Sequence, residues 1–220
     1  MILYHGSEFI IERPKYRGGK AYNDYGYGFY CTEYPDMARE WSVTSNRNGY
    51  LNKYELNSAD LSVLCLNDYP ALTWLSVLLE NRTFDITTPL AKEASAYIRK
   101  EFSVDYETYD CIKGYRADDS YFSFAQDFIN GSISYEQLCE AMHLGKLGDQ
   151  FVLKSKRAFE NLWFCGAAEV FRGIWYPRKE ERDKKARKQY ASFDKNYIRG
   201  SLYVTGILDK EMKRDDARLR

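Results

Sequence analysis

The sequence predicts an α+β domain: a split sheet, mixed and antiparallel, around a cleft, with helical insertions and a helical C-terminal appendage. Three observations carry this. Short apolar runs of strand character end at glycines or turn residues, and helical periodicity is interleaved with them in no strict alternation, unlike a doubly wound parallel sheet. Aromatic residues make up 16% of the chain, with 20 tyrosines, a composition that favours packed, β-rich structure over disorder. At 220 residues the chain is also long enough to bury a substantial core. A change of character after Trp163 divides it into a domain, 1–165, and a charged, mainly helical extension, 166–220.

The elements follow in order. Ile2-Leu3-Tyr4 is an apolar strand expected to stop at a His5-Gly6-Ser7 turn. Glu8 to Asn23 is a polar loop with Arg13-Pro14 and Arg17-Gly18-Gly19-Lys20. It reads either as an ordinary solvated loop or as a flap whose cations meet phosphate oxygens. Tyr25 to Thr32 is a glycine-punctuated aromatic strand. Pro35 opens a helix, with Asp36 at its positive end and Met37, Ala38 and Trp41 on one face, so Trp41 reads as core or as a wall of the cleft. Strands are expected over Tyr50 to Leu56 and Leu61 to Leu66, then structural helices over 70–81 and from Pro89, the second capped by Thr88.

A strand around Cys111-Ile112 ends at Gly114, and Asp118-Asp119 precede an aromatic helix over 121–129. Ser134 to Gln137 has the spacing of a capping box. His143, near the end of that helix, reads as a partner of the helix dipole rather than a reactive group. A strand over 149–153 leads to a short helix with Ala158, Phe159 and Leu162. Arg178 to Tyr190 is basic, with Glu180, Glu181 and Asp183 interleaved, and reads as a solvated helix or as an appendage packed on the core or on a partner.

Several classes are disfavoured. The 32 basic and 32 acidic residues cancel, so no global charge points to nucleic acid or a membrane surface. Five cysteines without a Cys-x-x-Cys pair, and only two histidines, argue against a metal site. Apolar runs are too short to span a bilayer, and no basic stretch followed by an apolar region marks a secretory leader, so a reducing cytoplasm is the expected location. Gly26-x-Gly28 is followed by Phe29-Tyr30, which leaves a Rossmann phosphate turn incomplete.

The candidate site lies where the first two strands meet. Strands that end in glycine let a ligand approach the main chain closely. His5 followed by Gly6 offers an imidazole and an exposed backbone amide and carbonyl, and Tyr30 and Trp41 offer two aromatic faces. Such a site suits a flat, amide-bearing ring attached to a ribose.

The pattern Ile2-Leu3-Tyr4-His5-Gly6-Ser7, then Gly26-x-Gly28-Phe29-Tyr30-Cys31-Thr32, then Trp41, resembles the NAD-binding half of the ADP-ribosyltransferases. More narrowly it is similar to a bacterial family of short proteins of unknown function placed in that superfamily. The resemblance continues through Tyr109 to Asp119 and Leu147 to Val152. It implies an NAD-binding cleft between the halves of the sheet, with NAD as a substrate and no metal. In the branch with a His-Tyr-Glu triad it implies that His5 holds the ribose, Gly6 pairs with the nicotinamide amide, Tyr30 stacks on the ring and Trp41 is the second wall. Ser7, Gly28, Thr32 and Arg13 belong to the same implied cofactor site.

The third member of that triad is a glutamate, which stabilises the charge that grows on the ribose. Gln150 occupies the equivalent place here, and an amide carries no full charge to offset an oxocarbenium ion. Asp118 and Asp119 read as helix caps or as the substitute carboxylate. The resemblance thus implies ADP-ribose transfer to a protein or nucleic-acid acceptor, in a toxin or phage-conflict effector with an inhibitory partner protein. A different class, a non-catalytic NAD- or nucleotide-binding module acting through a protein partner, takes Gln150 at face value, and a structural protein with an empty cleft is the third reading.

Overall fold

The computed structural model describes residues 1–117, 119–144, 148–193 and 196–219. Two sheets organise the chain. In the first, β1 (Ile2–Ser7), β3 (Gly49–Leu56) and β7 (Leu162–Val170) lie in the order β1-β3-β7, all antiparallel. In the second, β2 (Phe29–Cys31), β6 (Asp149–Leu153), β5 (Cys111–Tyr115) and β4 (Val63–Cys65) lie in the order β2-β6-β5-β4, with only the β4–β5 pair parallel. The protein is therefore α+β, with one antiparallel and one mixed sheet.

Among the described residues the sheets meet through one bridge, Tyr4 opposite Thr32, in which each residue's N–H donates to the other's carbonyl at 2.8 and 2.9 Å. Leu3, Tyr54 and Leu56 from the first sheet pack against Phe29, Cys31, Cys111, Phe151 and Leu153 from the second. The other face of the second sheet, through Ile112 and Val152, joins a larger core made with the helices α2 (Ala71–Asn81), α3 (Pro89–Glu101), α4 (Asp119–Ile129) and α5 (Tyr135–Ala141). Burying two faces explains why Cys111-Ile112 and Phe151-Val152-Leu153 are continuously apolar rather than alternating.

Local rules account for the helix starts. Thr88 accepts a hydrogen bond from the Ala91 N–H at 3.1 Å, ahead of Pro89. Ser134 and Gln137 close a reciprocal capping box at 3.3 and 2.9 Å. Helix α1 (Pro35–Ser42) has proline at its start and an Asp36–Arg39 ion pair one turn apart.

Three expectations need correction. His5-Gly6-Ser7 is not a turn: β1 runs through it, because Asn52 on β3 donates from Nδ2 to the His5 carbonyl, Ser7 Oγ and the Phe9 carbonyl and extends the pairing. The second strand is shorter than Tyr25 to Thr32, since Tyr25 to Gly28 forms turns clipped by the Tyr30 hydroxyl. Leu162 belongs to a strand, not to the preceding helix α6 (Lys156–Glu160), and that strand runs across residue 165. Its pairing with β3 skips Cys165, which bulges where Lys53 faces Gly166 and Tyr54 faces Phe164. Arg178 to Tyr190, in keeping with one of its two readings, is a helical appendage packed on the core: it forms most of α7 (Arg172–Ala191), with Ala186 and Tyr190 buried. A short helix α8 (Val204–Asp209) then buries Val204 and Ile207 in the larger core.

Candidate functional site

Between the ends of β1, β2 and β6 lies a cleft of about 700 Å³. His5, Gly28, Tyr30, Trp41, Gln150 and Arg13, all singled out from the sequence, line it. The fold thus brings together residues from β1, the 8–23 loop, β2, α1 and β6.

His5 points to the same side of β1 as Leu3 and packs on the Phe29 ring, with centroids 4.4 Å apart. Its Nδ1 lies 2.6 Å from the Tyr30 carbonyl oxygen. A carbonyl only accepts, so Nδ1 carries the proton and Nε2 is left as an acceptor. Burial holds the His5 pKa below its ordinary value near 6.5, against the upward pull of that hydrogen bond. The unfolded chain therefore takes up a proton near pH 6.5 that the folded ring refuses until lower pH, so stability is full above about 6.5 and falls on acidification. Denaturation midpoints are expected to drop between about pH 7 and 5 in the wild type and by less in His5→Gln; equal slopes would overturn the neutral tautomer.

Gly6, Ser7 and Thr32 stand beside the cleft rather than in its lining. Tyr4 spends its N–H and C=O on Thr32, so Gly6, two residues on, presents its own pair at the same edge of β1, beyond the end of β2. Its Cα faces helix α1. Ser7 Oγ donates to the Phe9 carbonyl and accepts from Asn52, and Thr32 Oγ1 donates to the Asp149 carbonyl at 3.0 Å. Both hydroxyls are engaged in holding backbone.

The Tyr30 hydroxyl accepts from the Tyr25 N–H at 2.9 Å and donates to the Gly26 carbonyl at 2.7 Å, which fixes the ring. Burial pushes its pKa up, so it is a hydrogen-bonding group and not an ionising one. Gly28 is required by close approach: a Cβ there would stand 2.4 Å from Val152 Cγ1. Trp41 is both core and wall, since it packs on the larger cluster and also lines the cleft. The Arg116 guanidinium sits over the Trp41 ring, 4.8 Å from its centroid.

The cleft also holds a buried carboxylate that sequence reasoning missed. Asp24, 6% exposed, accepts from Arg82 Nη1 at 2.7 Å through Oδ1, and through Oδ2 from the Ala117 N–H and from Gln150 Nε2, both at 2.9 Å. Burial raises the Asp24 pKa, opposed by Ala117, Gln150, Arg82 and Arg116. Gln150 Nε2 also reaches the Tyr115 carbonyl at 3.2 Å. The amide nitrogen is therefore the inward end, which leaves Oε1 as the acceptor. Asp118 lies outside the described residues, and Asp119 begins α4 with its side chain likewise outside them. No local pattern marks Asp24, because its partners stand far away in the chain.

Among the described residues no group of three or more His, Cys, Asp or Glu could hold a metal ion, and no helix is long and apolar enough to cross a membrane. His143 lies at a second cleft of about 790 Å³, where Nδ1 donates to the Cys139 carbonyl at 2.7 Å and Nε2 accepts from the Tyr115 hydroxyl at 3.2 Å.

These features define an α+β protein whose two sheets share a cleft with a neutral histidine, two aromatic rings and a buried Asp–Gln pair. Across residues 1–164 it belongs to the family described as "Protein of unknown function (DUF3990)". No curated protein and no solved structure matches the chain.

Proposed function

We propose that this cleft binds NAD and that the protein is ADP-ribosyltransferase-like, passing ADP-ribose to a macromolecular acceptor and releasing nicotinamide. The observation that carries the reading is the His5 tautomer: with Nδ1 bonded to Tyr30, Nε2 is an acceptor for a ribose hydroxyl beside the aromatic pair. The nicotinamide ring of NAD is a flat cation, and Arg116 over Trp41 shows that this face already favours a flat cation. Entry of nicotinamide between Tyr30 and Trp41 displaces Arg116, while Gly6 offers its backbone pair to the ring's amide. Arg13 on the loop meets the pyrophosphate.

The reaction needs negative charge near the ribose. As the C1′–N bond breaks, its electron pair leaves with nicotinamide and positive charge develops on the ribose; the acceptor then bonds to C1′ and loses a proton. Asp24 is the substitute carboxylate the described residues support, acting through Gln150: its charge polarises the amide, whose Oε1 accepts from the ribose. A protein or nucleic-acid acceptor, a toxin or phage-conflict setting, a cytoplasmic site of action and an inhibitory partner protein accompany this reading by resemblance alone.

One observation favours the alternative, a non-catalytic NAD-binding module. Arg82 neutralises Asp24 directly, so little net charge reaches the ribose. Nicotinamide release from NAD, measured with and without bacterial lysate, separates the two. For the transferase, release requires lysate, and His5→Ala lowers it at least about a hundredfold, the usual weight of one well-placed polar group in a transition state. Calorimetric NAD binding with no release under either condition would leave the binding module; no binding would remove both.

A further inference from the structure

We propose that helix α7, which lies beyond the family match, is the second jaw of a clamp for a diphosphate in this cleft, with Lys179 and Arg187 as its anion-binding residues. The proposal deepens the NAD reading, on which it rests for the identity of the dinucleotide but not for the anion.

Two features of α7 support it. First, the helix is fastened on both sides of the cleft. Arg182 Nε pairs with Glu40 Oε2 of α1 at 2.7 Å, both largely buried, and the Tyr190 hydroxyl donates to Asp127 Oδ2 of α4 at 2.5 Å while its ring meets Phe124 at 3.9 Å. Second, Lys179, Asp183 and Arg187 recur every fourth residue along the helix, so they share one face, and all three line the cleft. The loop opposite contributes Arg13 and Lys15.

The charge is out of keeping with the rest of the molecule. The chain as a whole is neutral. Yet among the described residues the cleft is lined by Arg13, Lys15, Arg82, Arg116, Lys179 and Arg187 against Asp24 and Asp183. Asp24 is matched by Arg82, and Asp183 lies 3.0 Å from Nη2 of Arg182, the residue whose Nε pairs with Glu40. The cations on loop and helix therefore face each other across a space that a ligand with two adjacent negative groups would neutralise. Lys184 and Lys188, which follow the same spacing on another face of the helix, are exposed and do not line the cleft, so the cations of α7 divide into an inner pair and an outer pair.

The experiment is calorimetry of the full chain with NAD, ADP and inorganic pyrophosphate at low and high salt. The comparison pairs Lys179→Gln/Arg187→Gln with Lys184→Gln/Lys188→Gln, which removes equal charge from the outer face. Losing two charge-assisted contacts is expected to weaken ADP and NAD at least about tenfold and to flatten the salt dependence, with the outer-face variant unchanged. Unchanged binding by the inner-face variant, equal weakening by both variants, or no binding of any of the three probes to the wild type would overturn the clamp. Wild-type binding of ADP and pyrophosphate but not NAD, lost in the inner-face variant, would keep the clamp and remove the NAD reading instead.

Discussion

Gln150→Glu is expected to destabilise the fold by about 3 kcal/mol or more at neutral pH, the range for an uncompensated buried charge. Gln150 is 3% exposed, and its Nε2 donates to the Asp24 carboxylate and the Tyr115 carbonyl. A glutamate would set an oxygen against both acceptors, with two carboxyl groups about 3 Å apart sharing one proton. The folded pair then holds a proton that the unfolded carboxyls release near pH 4. Its pKa is raised, so the variant should be least penalised below about pH 4 and should lose stability as pH rises through the folded value. Urea denaturation between about pH 4 and 8 measures this, and a variant as stable as wild type at pH 7 would contradict the Asp24–Gln150 contact.

Asp24→Asn/Gln150→Glu reverses the polarity of that hydrogen bond instead of destroying it, while setting an amide nitrogen against the Ala117 N–H that Oδ2 also accepts from. Part of the lost stability should return, as a coupling of about 1 kcal/mol or more in a double-mutant cycle. The exchange also moves the charge onto β6, where the resemblance to ADP-ribosyltransferases seats its glutamate. On the NAD reading, the double variant should release nicotinamide faster than wild type.

Gly6→Ala is expected to cost about 3 kcal/mol and to empty the cleft of ligand together. A Cβ at Gly6 would stand 1.8 Å from the Ala38 carbonyl oxygen, 2.8 Å from its carbon and 2.9 Å from the Ser42 nitrogen. All three are backbone atoms of α1, so no rotamer change relieves the clash and the helix itself must move. Trp41 and Glu40 ride on that helix, the first lining the cleft and the second anchoring α7 through Arg182. Thermal denaturation and NAD calorimetry on the variant should therefore fail in parallel. A loss below about 0.5 kcal/mol, the range of neutral surface changes, would show that α1 does not lie against β1 in this way.

How much was legible in the sequence depends on how far each decision reaches along the chain. The cap at Thr88, the box at Ser134 and the start at Pro35 are settled by residues within one turn of each other, and the structure has all three. β7 escaped because an edge strand with a bulge at Cys165 buries little of itself and shows no clean alternation. Asp24 escaped because the atoms that hold it come from Arg82, Ala117 and Gln150. The face of α7 that meets the cleft could not be told from its outer face, since both carry lysine and arginine.

The sequence by itself determined the α+β class, the helix boundaries that depend on capping, and the choice of His5, Tyr30 and Trp41 as candidates, whereas Gln150 entered only through the resemblance to the ADP-ribosyltransferase triad. Residue type and short-range spacing suffice there, because the free energy being read is local. Only the tertiary structure decided the histidine tautomer, the Asp24–Gln150 contact and the placement of α7 across the cleft. Each of these rests on a distance between atoms far apart in the chain, and such a distance exists only once both sheets and α1 have packed.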